Sequence, residues 1–214
     1  MGGRGSSFGV ETIQAIGNAK AEGVIEPLIV ADMNPMDKGS RFTNPEKTLN
    51  FIESKKMSYT KEQLQVLDDH GYVTRAFQGD EHSVSVDADT RRYMEGKVVT
   101  HNHPDVYGGT FSDADIRMLS AGMKEMRASA KEGIYSMKVT EKADPSGFSK
   151  NYEKDSKNLQ AQMYEISKDV AKRKWKSYEE FRQENRKKQL AVIDGWYKKN
   201  AEKFGFIYTF YPNN

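Results

Sequence analysis

The sequence predicts the α/β (α+β) class, a mixed β-sheet with flanking helices, on three observations. β-branched and aromatic residues cluster at short intervals between 59 and 100, divided by turn signals. Apolar residues recur at helical spacing after 112, 151 and 177. The closing run Phe206–Tyr211 reads as a strand that returns to the sheet.

A chain of 214 residues suits one ordinary domain, or one domain with a sizeable appendage. Apolar residues, with glycine counted and tyrosine not, make up about 39%, below the roughly 45–50% of an average chain. Charged residues reach 30%, so part of the chain is expected to be a solvated, charge-rich extension. Lys plus Arg (33) nearly balance Asp plus Glu (31), which excludes an acidic tail and a uniformly basic nucleic-acid binder. The absence of cysteine excludes disulfides, iron–sulfur clusters, thiolate zinc sites and cysteine nucleophiles. The longest apolar run, Val24–Ala31, is broken by Glu26 and Pro27, so no membrane contact is expected. The opening Met1-Gly-Gly-Arg-Gly-Ser-Ser lacks the apolar core of a secretory signal and reads as a flexible leader of a soluble, cytoplasmic protein.

Val10, Ile13, Ile16 and Ala19 are spaced for a short helix over 10–22, followed by an apolar stretch at 24–30 and a loop over 32–43. Asn44-Pro45-Glu46 begins a helix whose face carries Leu49 and Ile52 and which ends near Lys55-Lys56. Val66, Tyr72, Val73, Phe77, Val84, Val86, Val98 and Val99 then predict a meander of short strands, with turns at 68–71 and 78–80. Thr60-x-x-Gln63 resembles a helix-capping box, but a strand over 62–67 is favoured. Ile116, Leu119 and Met123 mark a helix after Ser112, and strands at 126–130 and 134–139 flank the turn 131–133. Leu159, Met163, Ile166 and Val170 form one helical stripe. Ser177 caps a second helix, striped by Leu190, Ile193, Tyr197, Ala201 and Phe204. Residues 151–204 hold 14 Lys/Arg against 9 Asp/Glu, a basic segment that is either a solvated face or a contact for nucleic acid or another partner.

The chemistry concentrates at 101–115. Four histidines in this chain would form about 0.07 His-x-His pairs by chance, yet His101 and His103 are such a pair, placed at the end of a strand. Histidines two apart on a strand face the same way and can reach one divalent metal. Ser112-x-x-Asp115 is first of all a helix-start signal, but the same turn can bring the Asp115 carboxylate to the histidines. Two imidazoles and a carboxylate leave a fourth position open, the catalytic zinc pattern. Hydrogen-bonded core histidines are the alternative.

His101-Asn-His103-Pro, a glycine-bearing loop and Ser112-x-x-Asp115 together resemble the JAMM signature of the JAB/MPN metalloprotease superfamily, in its RadC-like and phage- or toxin-associated branch. The resemblance covers about residues 59–140. It implies a mixed sheet with flanking helices, Zn2+ held by His101, His103 and Asp115, and a Ser112 that stabilises the tetrahedral intermediate. An upstream glutamate acts as acid and base: Glu62 is the first choice and Glu53 the second. Two departures stand out, a loop from His103 to Ser112 about one residue longer than usual and Phe111 where proline is frequent. The implied activity is hydrolysis of a peptide or isopeptide bond in a protein or peptide substrate. Three regions result: a leader with an N-terminal helix and strand (1–43), a JAB/MPN-like metal-binding domain (44–144), and a helical basic extension with a terminal strand (145–214).

Two other functions compete. One is a phage virion or head-morphogenesis accessory protein that keeps the fold without peptidase activity, located in the host cytoplasm or the virion. The glycine-rich opening resembles the starts of phage-encoded proteins. The other is a RadC-like nucleic-acid-processing protein that uses the basic segment 151–204.

Overall fold

The computed structural model describes residues 12–14, 45–56, 59–71, 73–104 and 109–213, with backbone only at 12–14 and 45. Among the described residues, seven strands form one mixed sheet: β1 (Thr12–Gln14), β2 (Gln63–Leu67), β3 (Val73–Gln78), β4 (Val98–Asn102), β5 (Glu125–Ala130), β6 (Gly133–Val139) and β7 (Phe206–Pro212). Their order across the sheet is β1-β3-β2-β4-β5-β6-β7. Every neighbouring pair is antiparallel except β4 and β5, which run parallel. A parallel pair needs a crossover, and this one carries helix α3 (Asp113–Met118) between its strands. The other helices are α1 (Pro45–Lys56), α2 (Ala88–Tyr93), α4 (Pro145–Ala171) and α5 (Tyr178–Asn200).

Local signals and tertiary pairing agree for most elements. β2 is hydrogen-bonded on both edges and buried at every residue, so the strand wins over the capping-box alternative at Thr60. The Gln63 N–H, which a helix start would leave to a cap, instead donates to the Asn102 side chain at 2.7 Å. Three expectations need correction. Thr12–Gln14 is a strand paired with β3 rather than part of a helix; the rest of 10–22, the apolar stretch 24–30, the loop 32–43 and Asn44 lie outside the described residues. Val84 and Val86 belong to an irregular segment followed by α2. Asp80 Oδ1 accepts from the His82 and Ser83 amides and Asp87 caps α2, so these amides are satisfied locally instead of in a ladder. The helix after Ser112 stops at Met118; a 3-10 turn and the left-handed Gly122 follow, and Met123 is buried beyond them.

Alternation along the strands assigns the two faces of the sheet. Val99, His101, Met126, Ala128 and Met137 face a core that also holds Ile116, Phe148, Tyr152, Trp196, Tyr197 and Phe206. Residues 145–214, set apart by composition, therefore share a core with the sheet: β7 joins it through β6, and α4 and α5 cover it. Tyr197 is fully buried, packs edge-on against Phe111 and donates its hydroxyl to the Phe111 carbonyl at 2.9 Å. The helices run antiparallel, as Trp196 to Asp155, Asn151 to Asn200 and Gln189 to Met163 and Ser167 show by their hydrogen bonds.

On the opposite face, α1 lays Leu49 and Ile52 on Leu67, Val73 and Ala76. It also buries charge. Arg127 grips Glu53 with two hydrogen bonds of 2.9 Å and reaches Glu46 at 2.8 Å, while Thr100 donates to Glu53 at 3.0 Å. Lys56 is buried beside them, donating to the Thr100 carbonyl at 3.1 Å and the Gln63 carbonyl at 3.4 Å. Burial lowers its pKa to about 7, against the opposing pull of Glu53 and Glu62. Above that pH the folded chain holds Lys56 neutral, whereas the unfolded chain keeps it protonated to about pH 10.4. The unfolded state then binds more protons, so the Lys56 penalty is full below pH 7 and is relieved as pH rises through this window. Lys56→Met is expected to be more stable than wild type at pH 7, with the difference narrowing by on the order of 3–4 kcal/mol by about pH 10. Urea unfolding of both proteins across that range measures it; a pH-independent difference means that Lys56 stays charged in the fold.

Candidate metal centre

The site lies where β4 leaves the sheet. β4 must end there because the chain starts its crossover to β5, and Pro104 has no N–H to extend the ladder. The last rungs are still in place: His103 N–H donates to the Ser129 carbonyl at 2.8 Å, and Ser129 Oγ to the His101 carbonyl at 3.2 Å. His101 faces α3–α5 because its neighbour Thr100 faces α1. The two histidines bring their Nε2 atoms to 2.9 Å from each other.

Asp115 arrives from α3. Ser112 caps this helix in a full capping box: its Oγ accepts from the Asp115 N–H, while the Ser112 N–H donates to Asp115 Oδ2 at 2.7 Å. The Ser112 hydroxyl also donates to Oδ2 at 2.7 Å. Asp115 Oδ1 lies 3.1 Å from His101 Nε2, and Oδ2 lies 3.3 Å from His103 Nε2. The helix-start signal and the approach to the histidines are thus one and the same turn.

Glu62 comes from the residue before β2. The antiparallel register pairs Leu64 with His101, and its continuation by two residues sets Glu62 opposite His103. Its backbone is held on both sides: Glu62 N–H donates to the Asp80 carbonyl at 2.7 Å, and Gly79 N–H to the Glu62 carbonyl at 2.8 Å. Gly79 is required there, since a Cβ would meet the Ser83 carbonyl oxygen at 1.9 Å. Asn102, the middle residue of His-Asn-His, clamps the chain around Glu62 by accepting from Gln63 N–H at 2.7 Å and donating to the Lys61 carbonyl at 3.1 Å. Sequence reading missed this role; the only signal was an amide side chain between the two histidines.

Carboxylate and imidazole atoms of Glu62, His101 and His103 lie within 4.8 Å of one another, a group able to hold a metal ion. Asp115 contacts both histidines directly, so four ligand-capable side chains converge. Glu53, the second choice for acid and base, is on the far face of the sheet, bound to Arg127.

The donor set suits a cation. The Gly109 carbonyl lies 2.9 Å from His103 Nδ1 and can only accept, so Nδ1 carries a hydrogen. That bond directs the His103 Nε2 lone pair toward His101 and Asp115, as a hydrogen bond at the other ring nitrogen orients imidazoles that hold metals. Facing Nε2 atoms beside a carboxylate need a hydrogen or a metal ion between them: either His101 carries its hydrogen on Nε2, or a cation takes that place. For His103, burial alone disfavours protonation, but Asp115, the Gly109 carbonyl and Glu62 outweigh it and raise the pKa to about 9. For Asp115, burial is overcome by both imidazoles, which hold the carboxyl well below its usual range. Burial pushes Glu62 up, with the imidazoles opposing and Asp115 and Asp80 assisting.

Glu62, His103, Ser112 and Asp115 line a cleft of about 650 Å³. One wall is the loop Glu81–Val84; another is Tyr152, Met163, Arg186, Gln189 and Ile193 of α4 and α5. The segment expected as an appendage therefore helps to build the site. No family model, curated protein or solved structure matches this chain.

The wild-type protein, purified without chelator, is expected to bind about one zinc ion, and His103→Ala and Asp115→Ala to lose it with unchanged circular dichroism. Elemental analysis checks this; a folded wild type that takes up no zinc on titration removes the metal centre.

Proposed function

We propose that this protein is a JAB/MPN-like zinc-dependent hydrolase that cleaves a peptide or isopeptide bond. The observation that carries this reading is the convergence of His103, Asp115 and the buried Glu62 on one open cleft, with His101 directly behind them. His101, His103 and Asp115 would hold the ion, as the JAMM resemblance implies. Bound there, zinc supplies Lewis acidity, acidifying water toward a pKa of about 7 and polarising a carbonyl.

The chain's own groups supply the rest. Glu62, pushed up by burial, accepts a proton from the attacking water and returns it to the leaving amine. The backbone bonds to Asp80 and Gly79 and the Asn102 clamp keep this carboxylate aimed at the cleft. Ser112 has its hydroxyl committed to Asp115 Oδ2, which supports a role in orienting that carboxylate. To stabilise an oxyanion as well, the hydroxyl would turn from Asp115 to the substrate.

Glu62→Gln preserves size and removes the proton acceptor. It is expected to retain zinc and to lower kcat by about 10²–10⁴-fold. Linear peptides and lysine-linked isopeptides, incubated with zinc-loaded wild type and variant and read by mass spectrometry, provide the test. No cleavage of either class by the wild type, or equal rates for both proteins, would contradict the reading.

A further inference from the structure

The antiparallel helices α4 and α5 extend beyond the cleft they help to line. From Met163 to the end of α4 at Ala171 is eight residues, about 12 Å at 1.5 Å per residue. The turn at their far end reads Lys172-Arg173-Lys174-Trp175-Lys176-Ser177-Tyr178, and every residue of it except Trp175 is exposed.

Its aromatic residues form a small scaffold. Trp175 Nε1 donates to the Val170 carbonyl at 2.9 Å, and its ring meets Phe181 edge-on at 6.1 Å. Tyr178 lies 6.0 Å from Phe181, with 76% of its surface open. Its ring is thus backed by Phe181 and exposed to solvent.

The charges are just as uneven. Arg173 is 3.5 Å from Asp169, but among the described residues Lys172, Lys174 and Lys176 have no ion-pair partner. The two nearby acids are engaged in the first turn of α5. Glu180 accepts from the Lys176 N–H at 2.8 Å, and Glu179 accepts from Gln183 at 2.9 Å and lies 4.0 Å from Arg182. Four cations within five residues, three of them unpaired, sit beside one exposed ring.

We propose that this hairpin tip binds single-stranded nucleic acid, with Lys172, Arg173, Lys174 and Lys176 on successive phosphates and a base stacked on Tyr178. Cations that track a backbone beside an open aromatic ring are the pattern of sequence-tolerant single-strand binding. A membrane surface would match the charges too, but it requires several apolar side chains free to insert. Here Trp175 is tied to Val170 and packed on Phe181, which leaves only Tyr178. A duplex keeps its bases stacked and offers nothing to that ring. The tip does not depend on the metal, so the two proposals stand or fall separately.

Fluorescence anisotropy with the full-length protein and a labelled oligothymidine of roughly 20 nucleotides tests the tip, with a duplex of equal length alongside. The single strand is expected to bind more tightly than the duplex, and the log–log slope of affinity against salt to be about −2 to −3, from three or four phosphates at roughly 0.7 each. Substituting Lys172→Gln, Lys174→Gln and Lys176→Gln together should weaken binding at least about tenfold and flatten the slope. Tyr178→Ala should weaken it roughly tenfold while leaving the slope in place. All four side chains are exposed, and circular dichroism verifies that the variants fold. No single-strand binding at low salt, or variants that bind like wild type, overturns the proposal. If phosphatidylserine vesicles instead bind in a lysine-dependent way while the oligonucleotide does not, the tip is a lipid contact and the proposal also fails.

Discussion

The register between β2 and β4 is the constraint on which the candidate site depends. Leu64 opposite His101 sets Glu62 opposite His103, on the face of the sheet that also receives Asp115. A slip of one residue would turn Glu62 to the other face, toward Lys56 and Arg127, and expose Leu64 and Val66 to the buried charges there. The register is overdetermined. The backbone ladder sets it, the apolar and polar alternation on the two faces enforces it, and the Asn102 side chain pins it just where the ladder ends.

The opposite face shows why such pinning matters. Arg127, Glu53 and Lys56 lie beneath the strands that carry the histidines, and Lys56 bonds the carbonyls of Thr100 and Gln63, each next to a residue of the site. Buried ion pairs of this kind seldom add much stability, because desolvation offsets the attraction. Their geometry is exacting, however: Glu53 accepts three hydrogen bonds at once, two from Arg127 and one from Thr100. α1 is thereby held in one position against β4 and β5, beneath the edge that carries the candidate site.

Helices α4 and α5 complete the other side. A charged, weakly striped pair of helices reads as an appendage because apolar residues interrupt its polar ones only sparsely. Yet Phe148, Tyr152, Trp196 and Tyr197 are large enough to bury a whole face of the hairpin against the sheet, and aromatic side chains dominate such contacts through their area. The hydroxyl of Tyr197 on the Phe111 carbonyl links this packing to the loop that delivers Ser112 and Asp115. Phe111 is thus part of the joint between hairpin and site.

Much of the fold was legible from the chain because its signals are local. Period-two and period-3.6 patterns mark β2, β4, β5, β6, α4 and α5, and Ser112-x-x-Asp115 announces the start of α3. His101 and His103 could be paired from their spacing alone, since a strand turns alternate side chains the same way. Without cysteine, a metal had only such histidines and carboxylates to bind. Local pattern ranked Glu62, before a strand, above Glu53, within a helix, but only the fold places one at the cleft and the other on Arg127. Nor could local pattern reveal that Asn102 clamps Lys61 and Gln63, or that Met163 and Gln189 wall the cleft, because those contacts join residues tens of positions apart. Residue types and their short-range spacing determined which groups were available for chemistry. Register and packing, which sum many weak long-range contacts, decided which of them meet.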